Sequence, residues 1–242
     1  KLLRMLKTIR NNWAFLKKKL LKQDKNIFYN NFLSNDYGDS RGTPITRYYI
    51  QHFFLNLNHF DWGNCLEFED NRYTNQFGNN VTKYNTFKFV NKYNDKDNLN
   101  IGDNLIIGDL TKISLLPKER FDFIVCTNVL NFIFDFQSAI KGIYKMLKKD
   151  GKCIITLDGP SSHISRYDME RWGDYWRFTN LSAKKIFERS NFKIEQNTVY
   201  GNPYACSAQL NGFSIQDIDQ SKLFPCKRDY QLLIALFLTK KI

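Results

Sequence analysis

Residues 165–179, with the sequence SRYDMERWGDYWRFT, hold a dense mixture of side chains that could bind or act on a small molecule. The segment contains three Arg, two Asp, one Glu, two Tyr and two Trp. Aromatic faces can stack on a sugar or another flat ring, while guanidinium groups and carboxylates fix polar atoms. The same residues would also suit a surface loop whose aromatic rings pack on the protein body with their N–H and O–H groups satisfied. Composition alone leaves both interpretations open.

Residue types that ligate metals are sparse. The five cysteines include no CxxC pair, and His52, His59 and His163 are the three histidines. This pattern argues against a zinc site and against a disulfide framework, and it favours reduced thiols in a cytosolic protein. We therefore predict no metal centre and a cytoplasmic location.

The positive charge of the chain is concentrated at its beginning. The net charge is +12, and residues 1–25 carry nine Lys or Arg against one acid. An enzyme that acts on nucleic acid more often spreads basic residues around its site, so nucleic acid is not the expected partner. Residues 1–23 instead predict a basic amphipathic helix, which could lie on the inner face of an anionic membrane or dock on an upstream domain. Packing of this helix on its own domain is an equal alternative.

The chain divides into this helix with a linker, residues 1–30, and one domain over residues 31–242. In the domain, short apolar runs alternate with helical patterns, which indicates a mostly parallel sheet covered on both faces. Strands are predicted at 64–69, 81–85 with an extension toward Val90, 104–108, 121–127, 152–157, 192–199 and 230–239.

Two helices have clear start signals. One spans 136–149 and is capped by Asp135, and another begins with Thr43 as the cap and Pro44 in the first turn. In an open parallel sheet, ligands bind beyond the carboxyl ends of the strands. The segment 165–179 follows the fifth predicted strand, so it lies where it can cover a ligand.

Four motifs, in order, carry a family resemblance. They are SRGTPITRYYI, CLEFEDNRYTNQFG, GDLTKISLLP and ISRYDMERWGDYWRFT, and the turn LKKDG precedes the fifth strand. From about Arg41 onward the chain resembles class I S-adenosylmethionine-dependent methyltransferases, in particular a bacterial subgroup found with glycosyltransferases in surface-polysaccharide assembly. The resemblance implies a Rossmann-like fold with a seven-stranded, mostly parallel sheet, one antiparallel strand and helices on both faces.

The resemblance also implies which residues hold S-adenosylmethionine. In the family, the loop after the first strand approaches the methionine part, an acid after the second strand bonds the ribose, and an acid after the third strand faces the adenine. The implied cofactor-binding residues are Glu67, Glu69, Asp70, Asn85, Asp109, Leu110 and Asn128. Two positions depart from the family pattern, because Glu69 stands where glycine is usual and Asn85 stands at the expected ribose acid.

The implied acceptor is a hydroxyl group of a carbohydrate or glycan precursor. A neutral hydroxyl is a poor nucleophile, so a nearby base would assist the transfer, and the candidates in order are Asp168, Asp174 and His163. The alternative role of the two aspartates is an ion pair with a neighbouring arginine. Candidate acceptor-binding residues are Arg41, Tyr48, Arg166, Tyr167, Trp172, Trp176 and Arg177.

A second function is compatible with the departures at Glu69 and Asn85. The domain could be a catalytically degenerate binding or scaffold module in glycan assembly, with a glycosyltransferase as the partner. A nucleotide-sugar or dinucleotide enzyme is disfavoured, because no GxGxxG follows the first strand.

Overall fold

The computed structural model describes residues 33–89 and 100–241, and these residues are built around one twisted sheet. The predicted helix over residues 1–23 lies outside the described residues. The strands of the sheet are β1 (Gly63–Phe68), β2 (Val81–Phe89), β3 (Asn100–Ile101), β4 (Leu105–Gly108), β5 (Phe121–Thr127), β6 (Leu147–Asp158), β7 (Phe192–Tyr200) and β8 (Leu233–Lys240). Their order across the sheet is β3-β4-β2-β1-β5-β6-β8-β7.

The strand directions confirm the predicted fold. β4, β2, β1, β5 and β6 run parallel, and β8 is antiparallel to both β6 and β7. These seven strands are the predicted sheet with one antiparallel strand. The sequence did not indicate β3, a two-residue strand that pairs antiparallel with β4 at the edge. Because five neighbouring strands are parallel, their carboxyl ends form one continuous edge.

Helices pack on both faces of this sheet. They are α1 (Ile45–Leu55), α2 (Arg72–Phe77), α3 (Phe136–Met146), α4 (Arg166–Arg171), α5 (Asn180–Arg189) and α6 (Pro203–Leu210). Side chains alternate along β5, so Phe123 and Val125 join the cluster under α1 and α6, while Ile124 and Cys126 join the cluster under α3 and α5. The core therefore has two layers, one on each side of the sheet.

Two predicted helix boundaries were wrong. The first helix begins at Ile45, its N-cap residue is Pro44, and no side chain caps it; the Thr43 carbonyl accepts the N–H of Ile215. The helix capped by Asp135 ends at Met146 rather than at 149, because Leu147 takes an extended conformation and begins β6. Within the described ranges, no helix has the length and apolar character needed to cross a membrane.

Candidate active site

A cavity of about 980 Å³ opens along the carboxyl edge of the parallel strands. Its wall is strongly acidic, with nine carboxylates and three guanidinium groups among the described residues. The acids are Asp36, Asp39, Glu67, Glu69, Asp70, Asp109, Asp135, Asp158 and Asp168, and the arginines are Arg47, Arg72 and Arg171. The cavity thus has the opposite charge to the chain as a whole, whose net charge is +12.

The turn after β1 is held by Glu67. Its buried carboxylate accepts the backbone N–H groups of Tyr73 (3.0 Å) and Thr74 (2.8 Å) and the Thr74 hydroxyl (2.7 Å). Burial raises the pKa of Glu67, and these hydrogen bonds oppose the rise. Glu67 therefore satisfies the N-terminus of α2 and shapes the loop, and its side chain has little hydrogen-bonding capacity left for a ligand.

Glu69 occupies the position where the resembled family has glycine. Its φ of 67° is in the left-handed region, and its N–H donates to the Phe87 carbonyl. The backbone turn is therefore present although the side chain is larger. The Glu69 carboxylate lies in the cavity wall near the end of β2, where its Oε1 accepts the Phe89 N–H at 3.4 Å. Partial desolvation there raises the pKa of Glu69.

The other implied cofactor residues divide into two groups. Asp70 and Asp109 line the cavity, with Asp70 near Arg72 (3.4 Å) and Asp109 accepting the Thr111 N–H and hydroxyl (both 2.8 Å). Leu110 is fully buried in the core, so its side chain faces away from the cavity.

The assignment of Asn85 to the ribose position was wrong. The strand β2 continues to Phe89, so Asn85 lies in its middle rather than at its carboxyl end. The buried side chain donates to Asn64 Oδ1 and to the Cys65 carbonyl, both at 2.7 Å. Asn85 therefore links β2 to β1, and the cavity wall at the end of β2 is made by Phe89.

Asn128 and Asp158 form a polar pair at the ends of β5 and β6. Asn128 has a left-handed φ of 51°, its Nδ2 donates to Asp158 Oδ1 (3.2 Å), and its Oδ1 accepts the Thr156 hydroxyl (2.6 Å). Asp158 is only 6% exposed, and burial is the main cause that raises its pKa to about 6. Sequence reasoning did not single out Asp158. The signal that could have found it is its place directly after the fifth predicted strand.

The segment 165–179, which we call the cover, contributes one side of the cavity. Tyr167, Asp168 and Trp172 line the wall, and so do Arg171 and Tyr175, which sequence reasoning missed. The Arg171 guanidinium lies 3.3 Å from the centre of the Tyr167 ring, and its NH1 donates to the Tyr167 carbonyl. Hydrophobic periodicity gave no signal for Arg171, because the short helix α4 exposes most of its residues, and Tyr175 lies outside this helix.

Asp168 differs from Asp174, another acid of the cover, in its surroundings. Its backbone N–H donates to Ser165, which caps α4, while its carboxylate pairs with no residue in the described part of the chain. Arg166, on the same helix, is exposed and lies outside the cavity wall.

Asp174, Trp176 and Arg177 fasten the cover rather than line the cavity, which corrects their predicted roles. Arg177 makes a two-pronged ion pair with Asp174, whose side chain is fully buried and also accepts the Ser165 N–H (2.9 Å). The Trp176 indole donates to the Phe134 carbonyl (3.1 Å) and packs on the core. The alternative ion-pair role of Asp174 is the one observed.

His163 is likewise packed rather than placed as a base. Its ring stacks on Tyr37 with centroids 4.2 Å apart, and burial lowers its pKa. It does not line the cavity, and its carbonyl accepts Arg177.

The predicted opposite wall is also built from other residues. Arg41 forms a two-pronged pair with Asp217 (2.8 and 2.9 Å), and Tyr48 packs against the core. The wall on this side is instead made by Tyr37, Thr46 and Arg47.

The donor set along the strand ends fits S-adenosylmethionine. Glu69, Asp109 and Asn128 follow three strands of one parallel edge and line one cavity, so hydrogen-bonding groups are available for both ends of an elongated ligand. The left-handed φ at Glu69 keeps the turn that glycine makes in the family, with a carboxylate side chain added in the cavity wall. Within residues 33–89 and 100–241, no group of three His, Cys, Asp or Glu side chains is arranged to hold a metal ion.

Comparisons with known proteins agree with this geometry. Residues 65–155 match a family described as a methyltransferase domain. None of the curated proteins compared with the chain matches it.

Two solved structures illustrate the shared fold. One is the N-methyltransferase NodS from Bradyrhizobium japonicum in complex with S-adenosyl-L-homocysteine, with 12% identity, 88% of this chain and 96% of that chain covered, and a TM-score of 0.50. The other comes from the complex between the Haloferax volcanii Trm112 methyltransferase activator and a methyltransferase, with 11% identity, 80% and 89% covered, and a TM-score of 0.50. At these identities the likeness concerns the fold. The match over residues 65–155 and the strand order make the chain similar to methyltransferase domains.

Proposed function

We propose that this protein transfers the methyl group of S-adenosylmethionine to a hydroxyl of a carbohydrate or glycan precursor. The observation that carries the proposal is one cavity lined both by the strand-end residues Glu69, Asp109 and Asn128 and by the cover. A cavity of about 980 Å³ has room for a cofactor and part of an acceptor. A shared cavity supports catalysis over a scaffold role, which needs no such volume.

The cofactor supplies an activated methyl group, so the protein mainly has to hold the acceptor atom in line with that methyl group and to exclude water. Glu69 and Asp109 offer carboxylate oxygens to hydroxyl and amine groups, and Asn128 stands next to them at the end of β5. Glu69 takes the part that the family gives to an acid after the second strand, since its carboxylate reaches the end of β2 at Phe89.

The cover supports a carbohydrate acceptor. Tyr167, Trp172 and Tyr175 present aromatic surface to the cavity, and such surface stacks on the apolar face of a sugar ring. Asp168 is the proposed general base, because its carboxylate lines the cavity without a pairing cation in the described chain. The base would accept the hydroxyl proton as the oxygen attacks the methyl carbon.

The same proposal includes a setting for the reaction. The motifs shared with the polysaccharide-assembly subgroup point to a glycosyltransferase as a partner and to the cytoplasm, with the basic residues 1–23 in contact with the inner membrane face.

Calorimetry with S-adenosylmethionine and S-adenosylhomocysteine tests the cofactor part. We expect both to bind the folded protein, as S-adenosyl-L-homocysteine binds NodS. No heat of binding at millimolar ligand would contradict the proposal.

The base is tested by Asp168→Asn. Loss of a positioned base lowers kcat by about 10²-fold or more, while the affinity for S-adenosylhomocysteine stays unchanged. Glu170→Gln is the matched control, because Glu170 is an exposed acid on the same helix outside the cavity wall. An equal kcat for Asp168→Asn and the control would exclude Asp168 as the base.

A further inference from the structure

Charge is distributed unevenly between the cavity and the rest of the molecule. The wall holds nine carboxylates against three guanidinium groups in the described chain, although the chain carries +12 overall. A phosphate-rich acceptor would meet repulsion there, whereas a cation would be attracted.

Most of the wall carboxylates already have partners. Asp39 pairs with Arg47 at 2.6 Å, and Asp70 lies 3.4 Å from Arg72. The carboxylates of Glu67, Asp36, Asp109 and Asp135 accept backbone N–H groups of their own loops. The carboxylates left without a cation or a strong local donor are Glu69, Asp158 and Asp168.

Of these three carboxylates, Asp158 is the one whose burial without a dedicated cation is the most costly in free energy. Asp158 is 6% exposed and lines the cavity, and the hydrogen bond described for its carboxylate is the one that Asn128 donates to Oδ1. Arg177 is the cation that acts on the charge of Asp158, and its guanidinium is already engaged by both oxygens of Asp174. A buried carboxylate without a dedicated counter-ion is costly unless a ligand supplies the cation.

Its position assigns Asp158 to the acceptor rather than to the cofactor. Asp158 ends β6, and β5 lies between β6 and β1, so two strand spacings of about 5 Å each separate Asp158 from the Glu69 turn. Asp168 of the cover is close enough to repel its charge, and Tyr167 and Trp172 line the same cavity. A carboxylate beside aromatic surface is suited to an ammonium group.

We infer that the acceptor is an amino sugar with a free amine, whose ammonium group is bound by Asp158 while a nearby hydroxyl faces Asp168. This inference rests on the proposed function and specifies its substrate class. The ammonium keeps its protons and stays bound to the carboxylate. The hydroxyl oxygen forms the new bond to the methyl carbon, the carbon–sulfur bond breaks with its electron pair going to sulfur, and the hydroxyl proton goes to Asp168.

Calorimetry of the protein saturated with S-adenosylhomocysteine tests the inference without turnover. The probes are matched pairs, glucosamine against N-acetylglucosamine and galactosamine against N-acetylgalactosamine, with glucose and galactose as uncharged references. We expect the free amines to bind at least about tenfold more tightly than their acetylated partners. Asp158→Asn should remove this preference, and Glu170→Gln should keep it.

Each other outcome has a definite meaning. Equal or tighter binding of the acetylated or neutral sugars, or no binding of either amino sugar to the loaded protein, would overturn the inference and leave the cofactor part of the proposed function standing. A large loss of S-adenosylhomocysteine affinity in Asp158→Asn would assign Asp158 to the cofactor and overturn it as well. Failure of the unmodified protein to bind S-adenosylhomocysteine would instead contradict the proposed function itself.

Discussion

The turn after β1 and the cover after β6 face the same cavity, but they are built in different ways. In the turn, the backbone sets the geometry, with Glu67 accepting N–H groups of α2 and Glu69 in a left-handed conformation. In the cover, side chains set it, because the Arg177–Asp174 pair and the Trp176 hydrogen bond hold the segment to the body.

Because of this difference, a residue that departs from the motif of the resembled family should affect the local structure differently in the two regions. A changed side chain at Glu69 leaves the path of the chain intact, because the hydrogen bonds that hold the turn run through backbone groups and the Glu67 carboxylate. A changed side chain in the cover can release the segment, because its attachment depends on a few residues. Substitutions in the two regions should therefore differ in whether stability or binding responds more.

The largest effect is expected from removing the fastening of the cover. Arg177→Ala leaves the fully buried Asp174 carboxylate without its cation, and breaking a buried pair in this way costs about 4 kcal/mol. Urea denaturation gives the free energy of unfolding, and hydrogen exchange of residues 165–179 shows whether the cover opens separately.

Arg166→Ala is the control for this prediction. Arg166 is exposed on α4, so its loss should change the free energy of unfolding by less than about 0.5 kcal/mol. If Arg177→Ala is as mild as the control in both measurements, the ion pair does not hold the cover.

The second prediction concerns Asp158, a buried carboxylate in the cavity wall whose ionisation should lower the free energy of unfolding. The folded-state pKa of Asp158 is about 6 against 3.8 ordinarily, chiefly because of burial, with Arg177, Asp174 and Asp168 also acting on it. Below pH 3.8 the group is protonated in both states and has no cost. As pH rises toward about 6 the unfolded chain loses the proton first, so folding becomes less favourable by about 3 kcal/mol.

Asp158→Asn should remove this cost. We expect the variant to exceed the unmodified protein in free energy of unfolding by about 3 kcal/mol at about pH 8, and the gap to close as the pH falls to about 4. Urea denaturation of both proteins across this range measures the gap. A gap that does not depend on pH would mean that the Asp158 pKa is not raised in the fold.

The same contrast explains how much could be predicted from the sequence. The sheet was predictable, because apolar runs and helical periods recur along the chain, and the antiparallel strand followed from the family resemblance. The partner of Arg41 was not, because Arg41 meets Asp217 only after the chain folds over a long separation. The polar identity of Asp174 fits a base and an ion pair equally well, and only burial decides between them.

Strand ends were the other limit. Asn85 was assigned to the edge on the shorter of the two predicted ends of this strand, but the alternation of buried residues continues through Phe87 to Phe89, as the predicted extension toward Val90 allowed. Choosing the shorter end placed the predicted ribose contact away from the cavity. Asp158, in contrast, follows its strand at the predicted place. It was not named as a site residue because the candidates were chosen from the aromatic and charged residues of the cover.

The third prediction tests the turn with the smallest change, Glu69→Gly. A non-glycine residue with left-handed φ costs about 1 kcal/mol, so restoring glycine should raise the free energy of unfolding by about that amount. If the Glu69 carboxylate binds the ribose hydroxyls, the same change should weaken S-adenosylhomocysteine binding about tenfold, or about 1.4 kcal/mol. Urea denaturation and calorimetry measure the two effects on one protein.

The opposite signs of these two effects make the experiment decisive, and Glu119→Gly supplies the control. Glu119 is also a glutamate with left-handed φ (50°), and it is exposed and lies outside the cavity wall, so Glu119→Gly should leave the affinity unchanged. Its gain in stability is offset by loss of the ion pair between Glu119 and Lys240 (3.6 Å). If Glu69 merely obstructed the cofactor, Glu69→Gly would raise both stability and affinity. A gain in stability with a loss in affinity, seen at Glu69 and absent at Glu119, would show that this turn keeps the family's backbone while its side chain serves the ligand.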